Sequence, residues 1–241
     1  MNITIWNEFV HEEIHTTVSD IYPDGIHGAI AAGLKERLDE AQITTATLKQ
    51  PEHGLGEAVI GNTDVLFWWG HLAHDQVDNG VVARVHDAVL QGMGLVVLHS
   101  AHLSKIFTRL MGTTCNLRWR ESDDRELVWC TSPTHPIARD VEWPIELPEH
   151  EMYGEFFDIP QPDELVCISS FSGGEVFRSG CCFTRGKGRV FYFSPGHETY
   201  PIYHDPKILK VLANAALWAQ PHKSSPIVTN QSPNAPKDWW R

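Results

Sequence analysis

Long hydrophobic runs are missing from this chain of 241 residues. Its longest apolar stretches, such as residues 65–69 and 94–98, are far shorter than the roughly 20 residues that a transmembrane helix needs. The first residues also show no basic segment followed by an apolar run, which is the pattern of a secretory signal. The sequence therefore predicts a cytoplasmic protein with no membrane partner.

Positive charge is also scarce. The chain carries 19 lysines and arginines against 31 aspartates and glutamates, so its formal net charge at pH 7 is −12. An acidic surface of this kind repels the phosphate backbone of nucleic acids. We expect no nucleic-acid partner, and no pattern in the sequence indicates a nucleotide cofactor.

Cysteine is too sparse and too scattered for a cross-linking role. The five cysteines include no C-x-x-C pair, which argues against a disulfide framework and against a zinc knuckle built on thiolates. Histidine, by contrast, is abundant, with 14 residues in the chain. Because imidazole binds metals and carries protons near neutral pH, the histidines direct the search for a functional site.

In the first half of the chain, apolar runs alternate with helical patterns. The predicted strands lie at residues 3–6, 43–48, 65–69 and 95–98. Two predicted helices begin after Asp24 and at Asp75, and each carries an apolar residue at every fourth position. Strands that alternate with helices are joined by right-handed crossovers, so this half is predicted to form a parallel sheet.

Beyond residue 112, a series of shorter strands replaces this alternation. They are predicted at residues 116–120, 127–130, 165–171, 176–184 and 189–193, with a tight turn at 185–188. A last helix is predicted over residues 206–218. The simplest assembly is a single α/β domain over residues 1–220, with a mainly parallel central sheet sandwiched by helices and an antiparallel extension.

The tail, residues 221–241, is rich in proline, serine and asparagine, a composition that usually favours disorder. Trp239 and Trp240 are the candidates for anchoring it, and we predict that docking orders it. Docking on a neighbouring subunit would make the protein a homo-oligomer. Docking on its own domain would leave the oligomeric state open.

Histidines follow the predicted parallel strands at the edge where open α/β sheets bind their ligands. His71, His99 and His197 each come directly after one of these strands or close to its end. We expect the three imidazoles to meet at one edge and to hold a divalent metal, Zn²⁺ being the metal that such ligands suit. In the alternative, each imidazole is paired with a carboxylate and no metal is bound. The carboxylates available for that are Asp75, Glu151 and Glu198.

Ser100 stands at a strand-to-helix turn, which is where a serine hydrolase carries its nucleophile. His197 and Glu198 could complete a triad with it. The residues around Ser100 lack the two glycines of the G-x-S-x-G motif, however, which favours a helix cap or a hydrogen-bond donor to a ligand.

Residues 149–155 concentrate carboxylates, an imidazole and a phenol in an otherwise irregular stretch. Glu151 could serve there as a base or metal ligand, and Tyr153 as a donor to a substrate hydroxyl. In the alternative, the segment is a solvated acidic loop. Flat apolar faces for a sugar ring could come from Trp6, Trp68 and Trp69. Trp68 and Trp69 point to opposite sides of their strand, however, so one of these two is expected in the core.

Several motifs, taken in order, resemble a known family. They are G-M-G-L-V-V-L-H-S-A at residues 92–101, T-H-P-I at 134–137, E-M-Y at 151–153 and G-K-G-R-V-F-Y at 186–192, before Gly196-His197. In order and spacing they resemble the ThuA-like trehalose-utilisation family over roughly residues 2–220. The resemblance implies the class I glutamine amidotransferase-like fold, a flavodoxin-like α/β architecture.

Members of that superfamily place a catalytic cysteine at the turn that here spans residues 98–102. This chain has no cysteine there, the nearest being Cys115, so glutamine hydrolysis by a thiolate is not expected. The family's association with disaccharide catabolism implies action on a small sugar or keto-sugar. The alternatives are a non-catalytic sugar-binding or scaffold module and a serine hydrolase that uses Ser100. The expected catalytic residues are His99, Ser100, Glu151, Tyr153 and His197, and the expected metal ligands are His71, His99 and His197.

Overall fold

The computed structural model describes residues 1–221 and Asp238. The predicted docking of the tail through Trp239 and Trp240 lies outside the described residues. Among the helices that are described, none is long and apolar enough to cross a membrane.

The strands of the described chain join into one sheet. They are β1 (Asn2–Asn7), β2 (Gln42–Thr47), β3 (Val65–Trp69), β4 (Gly94–Leu98), β5 (Arg118–Cys130), β6 (Ile145–Gly154), β7 (Glu164–Phe171), β8 (Val176–Arg185) and β9 (Gly188–Phe193). The α-helices are α1 (His11–Ile14), α2 (Thr16–Ile21), α3 (Gly25–Lys35), α4 (Glu57–Gly61), α5 (Asn79–Gln91), α6 (Lys105–Met111) and α7 (Pro206–Ala219). The nine strands follow the order β2-β1-β3-β4-β9-β8-β7-β5-β6.

The first five strands of that order are parallel to one another. Every residue of β3 and β4 is buried, because helices cover both faces of this part of the sheet. Successive side chains point to opposite faces, so Phe67 packs in the core with α3 and α7 whereas Leu66 packs with α5 and α6. The expected α/β fold, with parallel strands first and an antiparallel extension after them, is confirmed.

The antiparallel part is larger than the sequence predicts. Strands β9, β8, β7, β5 and β6 are paired antiparallel, so the described sheet has as many antiparallel as parallel pairings. The two strands expected at residues 116–120 and 127–130 form the single strand β5, which begins at Arg118. Residues 149–155, expected to be irregular, lie largely in β6.

The outer halves of β5 and β6 leave the sheet as a two-stranded ribbon. Residues 126–130 of β5 pair with β7, whereas residues 118–120 pair with residues 152–154 of β6. The register shifts at Asp124, and such bulges bend a strand and increase its twist. We call residues 118–124 and 150–154 the β5–β6 ribbon, which reaches the carboxyl edge of the parallel strands.

Two local predictions need correction. The helix expected from Asp75 begins at Asn79, because the carboxylate of Asp78 accepts hydrogen bonds from the N–H groups of Gly80 and Val81 and caps it. The tryptophans expected to face a sugar are all in the core. Trp6 and Trp68 stack with their ring centroids 4.1 Å apart, and Trp69 is fully buried.

Candidate functional site

The histidines that follow the parallel strands meet at one edge of the sheet, as their positions predict. His71 follows β3, His99 follows β4 and His197 lies beyond the end of β9. The ring centroid of His197 is 5.3 Å from that of His99 and 6.0 Å from that of His71. His11, which begins α1 after β1, stacks on His71 at 4.8 Å.

His99 is held at a sharp turn between β4 and the next helical turn. Its φ is +49°, in the left-handed region that non-glycine residues rarely adopt. Its Nδ1 donates a hydrogen bond to the carbonyl oxygen of Ser194 at 2.7 Å. This bond puts the proton on Nδ1 and leaves the lone pair of Nε2 facing the site.

Glu151 of the ribbon faces that lone pair. Its Oε2 lies 3.0 Å from Nε2 of His99, and both residues are buried. Burial lowers the pKa of His99 well below its usual value, and burial raises the pKa of Glu151. The hydroxyl of Tyr153 lies 3.3 Å from Nε2 of His99. It has a single proton, which it can donate to that nitrogen or to the carboxylate of Glu151, but not to both. Two buried acceptors therefore lie side by side, an arrangement that a shared proton or a cation stabilises.

His197 completes this group. Its Nε2 lies 3.9 Å from Oε2 of Glu151 and 3.2 Å from Oε1 of Glu121, which the bulge of β5 brings over the edge. Burial, together with the neighbouring imidazole of His99, lowers the pKa of His197 to about 4. Its Nδ1 accepts a hydrogen bond from the N–H group of Thr199 at 3.3 Å and lies 2.8 Å from the hydroxyl of the same residue. The proton of the neutral ring is therefore on Nε2, which faces Glu121, and a metal ion bound at Nε2 would replace that proton.

His150 fixes the main chain that carries His197. Its Nε2 accepts hydrogen bonds from the N–H groups of Gly196 and His197 at 3.1 and 3.2 Å. The proton of His150 is therefore on Nδ1, which lies 2.6 Å from the fully buried carboxylate of Glu126. Ser169 donates to the other oxygen of that carboxylate. This chain of contacts joins the extension to the end of β9.

A second group lies beside the first. Oε1 of Glu198 is 2.8 Å from Nδ1 of His11 and 3.2 Å from Nδ1 of His71. Burial acts to lower the pKa of His71, but the hydrogen bond and charge of Glu198 outweigh it and raise that pKa. Burial alone would raise the pKa of Glu198, but the two imidazoles lower it.

The ligand atoms form two sets in the described part of the chain. One is His99, Glu151 and His197, the other is His11, His71 and Glu198, and within each set the atoms lie within 4.8 Å of one another. The predicted set of His71, His99 and His197 is thus divided, because His71 turns towards Glu198. His11 was missing from that predicted set, because its helical spacing of four pairs it with His15 and not with His71.

Ser100 is close to the site but makes a different contact. Its hydroxyl donates to the carbonyl oxygen of Gly70 at 3.0 Å, and no described imidazole accepts from it. A hydroxyl bound in this way is not activated as a nucleophile. His102 donates from Nδ1 to the carbonyl oxygen of Cys115 at 2.7 Å, and burial lowers its pKa to about 3.

A cleft of about 150 Å³ opens beside these groups. Its lining includes Ser100, Glu151, Tyr153 and Trp119. Trp119 is 64 % exposed, and sequence reasoning missed it as a candidate. The signal that could have found it is an aromatic residue between two arginines on a strand with little other apolar character.

Solved structures with a similar fold come from several bacteria. A putative ThuA-like protein from Bacteroides uniformis is 17 % identical with a TM-score of 0.60, and the match covers 90 % of each chain. One from Parabacteroides merdae is 14 % identical with a TM-score of 0.60, covering 94 % of this chain and 92 % of that one. A protein of Salmonella typhimurium described as cytoplasmic is 10 % identical with a TM-score of 0.60, covering 91 % of this chain and 100 % of that one.

At these identities the likeness concerns the fold alone. None of the curated proteins with which the sequence was compared matches it. The family model for ThuA, described as trehalose utilisation, matches residues 2–219. That match spans the parallel strands, the extension and every residue of the two ligand sets, and the chain therefore belongs to the ThuA trehalose-utilisation family.

Proposed function

We propose that the protein is a metal-dependent enzyme that acts on a small sugar or keto-sugar in the cleft beside Trp119. In this proposal Zn²⁺ is held by His99, Glu151 and His197. When bound there, the ion would polarise a carbonyl group or acidify a hydroxyl group.

The observation that carries the proposal is the contact between His99 and Glu151. Because Nδ1 of His99 is committed to Ser194, its Nε2 presents a lone pair to a buried carboxylate oxygen 3.0 Å away. That oxygen has no hydrogen-bond partner among the described residues. A cation between the two atoms would satisfy both, and imidazole with carboxylate is a ligand combination that suits zinc.

The residues around the cleft have separate roles in this proposal. The hydroxyl of Tyr153 would orient a substrate oxygen next to His99, and Glu121 would hold or accept a proton beside His197. Ser100 lines the cleft, with its own proton committed to Gly70.

The shape of the cleft supports a small polar substrate. Its volume of about 150 Å³ is below the roughly 300–1,000 Å³ of pockets for drug-sized ligands. Trp119 offers an exposed indole face at its rim, which suits the apolar face of a sugar ring. Family membership in trehalose utilisation supports a carbohydrate as the ligand.

Glutamine hydrolysis is not part of this proposal. Burial raises the pKa of the Cys115 thiol to about 11, which disfavours a nucleophilic thiolate. The order β2-β1-β3-β4-β9 of the parallel strands supports the flavodoxin-like description implied by the sequence. The description of the Salmonella protein supports a cytoplasmic location for this one.

The test begins with the metal. Protein purified without a histidine tag should contain zinc by elemental analysis, and His99→Asn should lose the ion that this set holds. His86→Asn, which changes a histidine on α5 outside both ligand sets, serves as the matched control and should retain its zinc.

The second step tests the chemistry. Small sugars and keto-sugars incubated with the zinc-loaded protein should be converted, as followed by NMR, and removal of the metal should stop the conversion. Sugar binding without conversion would instead support a non-catalytic sugar-binding module. Conversion that is unchanged in metal-free protein would overturn the role of zinc and leave acid–base catalysis by His99 and Glu151.

A further inference from the structure

We propose that a second divalent cation binds between His11, His71 and Glu198, beside the first ion and bridged to it by the carboxylate of Glu198. This inference rests on the proposed function, because the second ion is placed next to the one assigned to His99, Glu151 and His197.

The spacing of the ligand atoms fits a shared ion. Two ligands of a tetrahedral zinc with bonds of roughly 2.0–2.1 Å lie about 3.3 Å apart. In the second set, Oε1 of Glu198 lies 2.8 Å from Nδ1 of His11 and 3.2 Å from Nδ1 of His71. The two rings are nearly parallel, with an angle of 9° between their planes. The two distances show that both Nδ1 atoms contact the same carboxylate oxygen.

Two buried carboxylates at or beside this set favour the binding of a cation. Glu151 and Glu198 are both almost completely buried, and in the described chain their close partners are imidazoles rather than lysine or arginine. Buried carboxylates are normally paired with a cationic group or bound to a metal. Oε2 of Glu198 and Nε2 of the buried His11 also have no hydrogen-bond partner among the described residues.

The elements that carry these ligands are fixed before any ion binds. The carboxylate of Glu8 accepts hydrogen bonds from the N–H groups of Leu72 and Ala73, which holds the loop that follows His71. The carboxylate of Glu12 accepts from the side chain of Asn7 and from the N–H group of Ile26, which holds α1. Ligands supported in this way need little rearrangement to bind a metal.

The two ligand sets adjoin at Glu198. Its Oε1 lies 3.8 Å from Nε2 of His197, which belongs to the first set. In two-metal sites the ions lie roughly 3.5–4 Å apart and act together on one substrate. A bridging Glu198 would keep the second ion beside the cleft, where both ions can bind neighbouring oxygens of a sugar.

The test is a titration of metal-free full-length protein with Zn²⁺ alone, followed by calorimetry and by elemental analysis after desalting. Wild-type protein should bind two equivalents. The double variant His11→Asn, His71→Asn should bind one, and His99→Asn should bind one. His86→Asn should still bind two, and circular dichroism of each metal-free variant checks its fold.

The outcomes separate this inference from the proposed function. One equivalent in wild type, lost in His99→Asn and kept in the double variant, would overturn the second ion and leave the first in place. One equivalent lost in both variants would mean a single ion shared by the two sets, which also overturns it. No bound zinc in wild type would remove both.

A spectroscopic experiment tests the bridge directly. With two equivalents of Co²⁺ in place of zinc, a bridging carboxylate couples the two ions magnetically, which should weaken the Co²⁺ signal in electron paramagnetic resonance. Glu198→Gln should restore the signal or halve the stoichiometry. An uncoupled two-ion spectrum in wild type would contradict the bridge.

Discussion

The parallel and antiparallel halves of the sheet use their side chains in different ways. Strands β3 and β4 bury every residue between two layers of helices, and their ends deliver the imidazoles of His71 and His99. Strand β5 exposes most of its side chains, including Trp119 and Trp129. The parallel half is a buried core whose strands are followed by histidines of the candidate site.

The comparison shows how the site is assembled. The carboxyl ends of the parallel strands share one edge, and this edge is the location of the candidate site. The extension forms the opposite wall of the cleft there, because the β5–β6 ribbon supplies Glu151, Tyr153 and Trp119. Neither the parallel strands nor the antiparallel extension alone carries all the side chains of the candidate site.

The largest effect is expected for a substitution in the parallel core. Phe67→Ala removes a fully buried ring from β3 and should lower the free energy of unfolding by about 3–5 kcal/mol. Trp129→Ala removes a residue of the extension that is 42 % exposed and donates to the hydroxyl of Ser170. It should cost only about 1 kcal/mol. Urea unfolding compares the two, and equal losses would contradict the contrast between the halves.

A smaller effect is expected for the ion pair that braces the ribbon. Arg120 donates from Nε and Nη2 to the buried carboxylate of Asp124, and the hydroxyls of Ser122 and Ser172 also donate to it. Asp124→Asn should lower the free energy of unfolding by about 1–2 kcal/mol at pH 7, since the partly exposed arginine is screened by solvent. Chemical denaturation measures the loss.

The same pair makes stability depend on pH. The hydrogen bonds from Arg120 lower the pKa of Asp124 from its ordinary 3.8 to about 2. Because the folded pKa is below the unfolded one, the contribution is complete above pH 4 and is lost as the pH falls through about 2. The stability difference between wild type and Asp124→Asn should therefore shrink only below about pH 4. A difference that already shrinks between pH 7 and 5 would contradict this assignment.

Ser100 should contribute modestly to stability and nothing to covalent catalysis. Ser100→Ala removes one hydrogen bond to the carbonyl oxygen of Gly70 and should cost about 1 kcal/mol. Wild-type protein incubated with a fluorophosphonate should show no adduct on Ser100 by mass spectrometry. A stoichiometric adduct would restore the serine-hydrolase interpretation.

The smallest effect on stability is expected for Trp119, the exposed aromatic residue of the ribbon. Trp119→Ala should change the free energy of unfolding by no more than about 0.5 kcal/mol. If a sugar covers roughly 60 Å² of the indole, its loss should weaken sugar binding by about 1.5 kcal/mol, or roughly tenfold. Calorimetry with Trp129→Ala as the control measures this, and unchanged affinity would remove Trp119 from the ligand site.

The sequence predicts the parallel half better than the extension for a physical reason. Apolar runs locate β3 and β4, and topology then brings His71, His99 and His197 to one edge. The position of the ribbon depends on the bulge at Asp124, which no residue pattern marks. Trp119 therefore escaped prediction.

The composition of residues 149–155 indicated Glu151 as a candidate site residue but did not predict its position in the fold. Its carboxylate reaches His99 only because β6 bends with β5 over the sheet edge. The pairing of His71 with Glu198 depends on which way a loop side chain turns, and sequence spacing carries no information on that.

The two strands of the β5–β6 ribbon are anchored to different extents. Met152 and Tyr153 on the β6 side are buried in the core with α5 and α6, whereas Arg118 and Trp119 on the β5 side are exposed. Arg120 joins the β5 side to the turn between β7 and β8, where its Nη1 donates to the carboxylate of Glu175 at 2.6 Å. Because segments with few buried contacts open locally more easily than core strands, we expect amide hydrogen exchange to be faster at Arg118 and Trp119 than at Met152 and Tyr153.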